Sequence, residues 1–157
     1  MLFRSAGSSV SERDITADVI AKLGEPGILV HGIALRPGKP TILSVCDGVP
    51  VVGLPGNPVS AVVVSGLFVL PAIRKLQGMR GSEWSGSVPA TLKSNVSSAS
   101  GREDWLPCRL IVTPEGLEAE PVFGRSNLIF TLVRADGLVR IPAPSTGLQA
   151  EIGRAHV

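Results

Sequence analysis

The sequence predicts an α/β domain followed by a small all-β barrel, and three observations support this fold class. Between residues 6 and 80, apolar runs of strand length alternate with segments of helical spacing. After Gly81 the pattern changes to short apolar runs separated by glycine, proline and aspartate turns, which is typical of a small barrel or sandwich. Of the 157 residues, 44% are hydrophobic and 18% are charged, so the chain can bury a core. We therefore place the two domains at residues 6–80 and 87–150.

The first predicted domain begins with a helix and a strand. The helix is expected to end at Gly24, because glycine commonly follows the last helical turn. Its apolar face would comprise Ile15, Val19, Ile20 and Leu23. The apolar run from Ile28 to Ala34 predicts a buried strand, so His31 would be a core histidine. Residues 36–40 contain two prolines and a glycine, which predict a loop because they do not support regular strand pairing.

A hairpin followed by a helix is the clearest local pattern. Thr41–Cys46 and Val49–Leu54 are predicted strands, and Asp47-Gly48 between them favours a two-residue turn. This turn places the start of the first strand opposite the end of the second. The loops before and after the hairpin therefore emerge at the same edge of the sheet. A long apolar helix would follow the Pro55–Pro58 loop and extend to about Leu76.

The two loops at this edge form a candidate anion site. A helix N-terminus has unpaired N–H groups and positive partial charge. Gly56 allows close approach of the backbone to a ligand, and Ser60 adds a hydroxyl. Arg36 and Lys39 add full positive charges. The complete set is Arg36, Lys39, Pro40, Pro55, Gly56, Asn57 (also the expected N-cap) and Ser60. The same residues also suit an ordinary strand-to-helix turn with solvated loop charges, and this alternative stays open.

Five short strands make up the second predicted domain. They cover residues 88–93, 106–113, 117–122, 128–133 and 138–141, and turns rich in glycine, proline and aspartate separate them. By default Arg102, Arg109 and Ser126 would be ordinary surface residues of the barrel.

Composition and charge exclude several classes of function. The net charge of +2, without a basic stripe, argues against nucleic acid as the main partner. The most apolar run, residues 59–70, is interrupted by a serine and a glycine and is shorter than the roughly 18 residues that suggest a membrane span. Cys46 and Cys108 are too far apart for a CxxC pair and are predicted to be free buried thiols in a reducing cytoplasm. With His31 they offer too few ligands for a zinc site.

Several segments resemble the molybdopterin molybdenumtransferase family, which completes the synthesis of the molybdenum cofactor. In the first domain they are Ser9–Asp14 (SVSERD), Arg36–Pro40 (RPGKP) and the highly specific Gly53–Ala61 (GLPGNPVSA). Weaker matches in the second domain are Gly101-Arg102, Arg109 and Gly124–Asn127 (GRSN). The resemblance covers residues 6–150. It implies the C-terminal half of a molybdopterin-binding α/β sandwich domain, followed by the family's β-barrel.

The resemblance also implies a reaction. The family inserts molybdate into adenylylated molybdopterin and releases AMP, with Mg²⁺ or Zn²⁺ present. Lys39 and Asp14 would then be catalytic, and Asp14 would be a metal ligand, although a carboxylate there also suits the start of a helix. Positions that match contacts to molybdate or to the pterin phosphate are Lys39, Pro40, Ser60, Arg102 and Ser126. Whether Arg102 or Arg109 faces the oxyanion stays open at this point.

The chain departs from the family pattern in three ways. Arg36 stands where many members have lysine, which keeps the charge but changes the donor geometry. Ser11 stands where glycine is common. The family's first half has no counterpart here, so we expect the fragment alone to be inactive and its sheet to have an unpaired edge. The full-length protein would be a cytoplasmic homodimer that binds small-molecule substrates, without nucleic acid or membrane partners.

Both ends are expected to lie outside the protein's own sequence. Residues 2–5 and the C-terminal end back-translate into sequences that resemble sequencing-library adapters. We therefore assign residues 1–5 and 151–157 to adapters; ordinary frayed termini are the alternative.

Two other functions compete with the transferase. Molybdopterin adenylyltransferase shares the pterin-binding domain, but no barrel is expected after it, so residues 87–150 argue against that enzyme. A non-catalytic molybdopterin-binding or scaffold protein of the same fold would bind a peptide partner and show no molybdate-dependent release of AMP.

Overall fold

The chain forms two compact units. The computed structural model describes residues 2–5, 15–79, 87–124, 129–150 and 154–156, the first and last of these ranges by their backbone alone. One unit comprises Met1–Ile33 with Pro37–Glu83, and the other comprises Ala34–Arg36 with Trp84–Val157. Residues 34–36 therefore belong to the second unit, although in sequence they lie within the first predicted domain.

The first unit contains a four-stranded sheet. Its strands are β1 (Leu2–Ser5), β2 (Pro26–His31), β4 (Ile42–Cys46) and β5 (Val49–Leu54), in the spatial order β1-β5-β4-β2. β1 runs parallel to β5, and the other pairs are antiparallel. Strand pairing uses backbone groups alone, so residues 2–5 form an edge strand of this sheet although we expected them to derive from an adapter. The core of this unit contains Ile20, Ile42, Cys46 and Val51.

The hairpin between β4 and β5 confirms the predicted turn and register. Asp47 and Gly48 both have positive φ, 49° and 80°, as a tight two-residue turn requires. Cys46 pairs with Val49, and the ladder continues to Ile42 opposite Gly53.

β2 is an exposed edge strand, so the prediction of a buried strand from Ile28 to Ala34 was wrong. Among the described residues β2 pairs only with β4, and its Leu29 side chain is 58% exposed. His31 is also exposed and is not a core histidine. An apolar run shows that a strand is favoured, but tertiary context decides whether that strand is covered.

Helix α1 (Ile15–Ala21) also differs from the prediction in the face that it buries. Thr16 and Ile20, one turn apart, are buried, whereas Ile15 and Leu23 are exposed. The buried stripe is therefore narrower than the predicted one and is shifted around the helix. Asp14, whose carboxylate would suit the start of this helix, lies outside the described residues.

The long apolar helix after the hairpin is present, with a local irregularity. It consists of α2 (Pro58–Val64), a π-helical turn (Ser65–Val69) and α3 (Leu70–Leu76). Pro71 has no N–H to donate, and the preceding turn widens so that Leu70 N–H bonds to Ser65 O.

This helix is longer than the apolar run recognised in the sequence. Over its 19 residues its length and mean hydropathy of 1.7 meet the criteria for a membrane span, which the core helix of a soluble domain also meets. Val59, Val63, Val64 and Val69 are buried in the protein. The helix thus packs one part of its surface into the first unit, whereas Val62, Leu70 and Leu76 are exposed.

The second unit is mostly β-structure. Its strands are β3 (Leu35–Arg36), β6 (Pro89–Leu92), β7 (Val96–Ser97), β8 (Glu103–Thr113), β9 (Gly116–Pro121), β10 (Gly137–Ile141), β11 (Gly147–Leu148) and β12 (Arg154–His156). One sheet has the order β10-β8-β9-β6-β12, with β3 added parallel to β8, and β7 pairs with β11. Its core includes Leu92, Cys108, Ala119, Val139 and Ile141. The small all-β domain predicted after the α/β domain is thus confirmed.

One predicted strand of this unit is a helix. Within the range 128–133, Phe130–Val133 form the short helix α4, whose turns are closed by bonds such as Arg134 N–H to Phe130 O at 3.2 Å. Thr131 is buried, whereas Phe130 and Val133 are exposed. The β-branched and aromatic residues favour a strand, but this segment closes helical turns instead. The sequence prediction also missed β7 and β11, which have only two residues each.

Candidate anion site

The turn that carries Lys39 is fixed by the residue that follows it. Thr41 is fully buried and both its N–H and its Oγ1 donate to Gly38 O, at 3.1 and 2.6 Å. The carbonyl of Lys39 accepts a hydrogen bond from Ile33 N–H at 2.9 Å. The backbone is thus held at several points while the Lys39 side chain is exposed, which leaves its ammonium group accessible to an anion.

The loop between β5 and α2 lies at the same end of the hairpin. The ladder ends with Ile42 opposite Gly53, so the Lys39 turn and the Pro55–Pro58 loop both emerge beyond this pair, as the sequence predicted. Pro55 is fully buried, Asn57 and Pro40 are half-buried, and Gly56 is exposed. Asn57 occupies the N-cap position with an extended backbone, but its side chain makes no capping hydrogen bond.

Ser60 and Gly53 belong to the candidate motif, but both are also packed inside the first unit. Ser60 is 6% exposed, so its hydroxyl lies in the first turn of α2 and largely away from solvent. At Gly53, an added Cβ would lie 3.0 Å from Ile42 Cβ and 3.4 Å from Ile20 Cδ1. The tighter of these contacts is with the cross-strand partner on β4, so glycine at this motif position avoids crowding between β5 and β4.

In the second unit, two predicted anion-binding arginines share one buried carboxylate. Arg36 Nη1 lies 3.3 Å from Asp104 Oδ2, and Arg102 Nε lies 2.9 Å from Asp104 Oδ1. The Asp104 side chain is 7% exposed, whereas those of Arg36 and Arg102 are 61% and 38% exposed. The register explains the arrangement, because β3 pairs Arg36 directly with Asp104 of β8.

The position of Arg36 corrects the prediction that residues 36–40 form a loop throughout. Arg36 ends β3 and belongs to the second unit, whereas Lys39 and Pro40 belong to the first. The two prolines and the glycine break regular structure only from Pro37 onward.

Arg109 has a different environment from Arg102. It lies on β8 opposite Glu120 of β9. Glu120 also accepts a 2.7 Å hydrogen bond from Lys93 Nζ; this bond raises the pKa of Lys93 and lowers the pKa of Glu120. Arg109 thus lies beside a surface ion pair, while Arg102 joins Arg36 at Asp104. The two arginines therefore lie in different charge environments of the second unit.

Two of the predicted site residues cannot be placed. Asp14 and Ser126 lie outside the described residues. Within the described ranges, no group of three or more His, Cys, Asp or Glu side chains could hold a metal ion.

Asp104 is the residue that sequence reasoning missed. It is separated from Arg36 by 68 positions, and only the pairing of β3 with β8 brings them together. A local signal was present, because Arg102 and Asp104 are two residues apart in the sequence. Side chains two residues apart on a strand lie on the same face.

Two family models match the chain in succession. The model of a probable molybdopterin binding domain matches residues 1–75, and that of the MoeA C-terminal region (domain IV) matches residues 89–150.

Individual relatives agree with this order of domains. The molybdopterin molybdenumtransferase of Haemophilus influenzae is 33% identical over 138 residues, which are 87% of this chain and 34% of the relative. The solved molybdopterin biosynthesis MoeA protein of Pyrococcus horikoshii matches with a TM-score of 0.71 and 41% identity, covering 87% of this chain and 32% of that one. A molybdenum cofactor biosynthesis protein from Pyrococcus furiosus matches with a TM-score of 0.65 and 28% identity, over 78% of this chain and 42% of that one. The chain spans about a third of the length of the curated relatives that it matches.

Proposed function

Because the chain belongs to the MoeA family of molybdenum cofactor biosynthesis proteins, we propose that it is part of a molybdopterin molybdenumtransferase. This enzyme would insert molybdate into adenylylated molybdopterin and release AMP. The observation that carries the proposal is the match to the MoeA C-terminal region directly after the pterin-binding domain. A molybdopterin adenylyltransferase is expected to have no such second domain.

The charges of the described residues suit these substrates. Molybdate is a dianion, and the adenylylated substrate contains a diphosphate linkage. Lys39 is exposed on a rigid turn, and the side chains of Arg36 and Arg102 are 61% and 38% exposed. Cations fixed in this way attract oxyanions and offset the charge of the diphosphate. The dithiolene sulfurs of the substrate become the ligands of molybdenum, so the chain needs no side-chain nucleophile.

Asp14, Ser126 and the quaternary structure complete the proposal. Asp14 would hold Mg²⁺ or Zn²⁺ beside the substrate phosphates, and this metal would supply positive charge there when bound. Ser126 would contact the oxyanion through its hydroxyl. The full-length protein would act as a cytoplasmic homodimer, and the 157-residue chain alone would be inactive.

Substitution of Lys39 in the full-length protein tests the assignment of the anion site. We expect Lys39→Ala to lower molybdate-dependent turnover roughly tenfold, because a charged hydrogen bond contributes about 1.5–3 kcal/mol. Lys75→Ala is the matched control, since Lys75 is an exposed lysine of the same unit on α3. Unchanged turnover and unchanged molybdate dependence in Lys39→Ala would refute the role of Lys39.

A further inference from the structure

The Asp104 carboxylate uses both of its oxygens to hold two arginines from different strands. Oδ1 accepts from Arg102 Nε and Oδ2 accepts from Arg36 Nη1. Asp104 itself is 5% exposed. A carboxylate with little solvent around it depends on these partners, and the partners are in turn held in one relative position.

Both arginines keep donors that Asp104 does not use. A guanidinium carries five N–H groups in a fixed fork, and the ion pair with Asp104 engages one nitrogen of each arginine. The exposed fractions of 61% and 38% leave the remaining donors accessible from solvent. Two guanidinium groups fixed side by side match the several acceptor oxygens of a tetrahedral oxyanion.

We propose that Asp104 is the positioning residue of the oxyanion site: it fixes Arg36 and Arg102 so that their free donors bind a tetrahedral oxyanion, either molybdate or a phosphate monoester. This inference rests on the proposed function, which assigns the two arginines to such an anion. Asp104 does not contact the anion and acts only through the arginines.

In Asp104→Asn, the change in charge and the loss of positioning should affect oxyanion binding in opposite directions. Removal of one negative charge beside two cations makes the local field more positive, which by itself strengthens the binding of an anion. The amide, however, keeps only one acceptor oxygen and turns an NH₂ group toward a guanidinium. One arginine then loses its anchor. If positioning dominates, oxyanion binding weakens although the positive charge increases.

Steady-state kinetics of the full-length protein distinguish these effects. We expect Asp104→Asn to raise the KM for molybdate roughly tenfold, because one of the two arginines loses its anchor, while kcat changes by less than about twofold. An unchanged or lowered KM overturns the proposal. Glu120→Gln removes the same charge from the same unit without contacting Arg36 or Arg102, and its KM should stay within about twofold of the wild type.

Asp104→Glu provides a second test in case Asp104→Asn does not fold. Asp104→Glu keeps the carboxylate but moves it by one methylene, so we expect a smaller increase in KM, about threefold. If Asp104→Asn does not fold, an unchanged KM in a folded Asp104→Glu protein overturns the proposal.

Direct binding separates this proposal from the proposed function. Equilibrium dialysis of molybdate against the full-length protein, without molybdopterin, should give a higher Kd for Asp104→Asn than for the wild type even if no AMP is released. Inorganic phosphate that competes with molybdate identifies a general oxyanion site, whereas molybdate binding without such competition identifies a molybdate site. Absence of molybdate binding to the wild-type protein, or equal Kd values, overturns the positioning role.

Discussion

Among single residues, Arg102 and Arg109 are chemically identical but differently placed. Arg102 shares Asp104 with Arg36, whereas Arg109 faces Glu120 beside the Lys93 ion pair. We therefore expect Arg102→Ala to raise the KM for molybdate roughly tenfold, through loss of a charged contact of about 1.5–3 kcal/mol. Arg109→Ala should leave KM within about twofold of the wild type. Equal effects of the two substitutions would contradict the assignment.

Cys108 allows a pH-dependent test of the second core. Burial, with a smaller contribution from Asp136, raises the pKa of this thiol from 9.0 to about 11. Below pH 9 the thiol is neutral in both folded and unfolded protein. Between pH 9 and 11 only the unfolded thiol loses its proton, so stability falls as the pH rises, by at most roughly 1.4 kcal/mol per pH unit.

Urea denaturation at pH 8, 9 and 10 measures this effect, with Cys108→Ala as the control that lacks it. The same burial predicts that thiol reagents leave Cys108 unmodified in the folded protein and modify it after unfolding. Equal slopes of stability against pH in the two proteins would show that Cys108 does not titrate in this way. Both cysteines are free and buried, as the sequence predicted.

The sequence identified which residues carry charge but not how they pair. Arg36, Lys39 and Arg102 were all recognised as candidate anion ligands, because their residue types and the motifs around them are local features. Asp104 was missed since its role depends on a contact across 68 positions. Asp14 and Ser126 stay predictions.

At the scale of elements, Gly53 and Gly48 of the β4–β5 hairpin are expected to be needed for different reasons, one for packing and one for backbone conformation. Gly53→Ala would place a Cβ 3.0 Å from Ile42 Cβ in the core of the first unit, and overpacking of this kind costs about 1–3 kcal/mol. Gly48→Ala would meet no atom within 4 Å but would force φ of +80° on a residue with a side chain, at a cost of about 1–2 kcal/mol.

Chemical denaturation of both variants separates packing from backbone strain. Replacement of Ile42 by Val in the Gly53→Ala background should recover part of the loss but should not rescue Gly48→Ala. Valine keeps the Cβ at position 42 but lacks the Ile42 Cδ1 that would lie 3.3 Å from the added Cβ. Rescue of both variants, or of neither, would contradict the packing explanation for Gly53.

Elements with a local signal were predicted well, and elements defined by their surroundings were not. The Asp47-Gly48 turn fixes the hairpin register by itself, so the sequence was sufficient there. β2 and α4 were misjudged because the same apolar residues occur in buried strands, exposed edges and short helices. Their exposed side chains, such as Leu29 and Phe130, reflect tertiary context that no short window contains.

At the scale of the whole molecule, the order of an α/β part and an all-β part was predictable because hydrophobic periodicity changes after Gly81. The assignment of residues 34–36 to the second unit was not. Two residues that pair with β8 are too few to give a periodic pattern. The specific motif around Gly53, in contrast, indicated the family from a single stretch of sequence.

Molybdate-dependent release of AMP distinguishes a molybdenumtransferase from a non-catalytic molybdopterin-binding protein. The full-length protein containing this chain is incubated with adenylylated molybdopterin, and release of AMP is followed with and without molybdate. We predict release that requires molybdate and that falls in the Lys39→Ala and Arg102→Ala variants. AMP release independent of molybdate, or no release by a folded protein that still binds molybdopterin, would contradict the transferase and favour a non-catalytic binding protein.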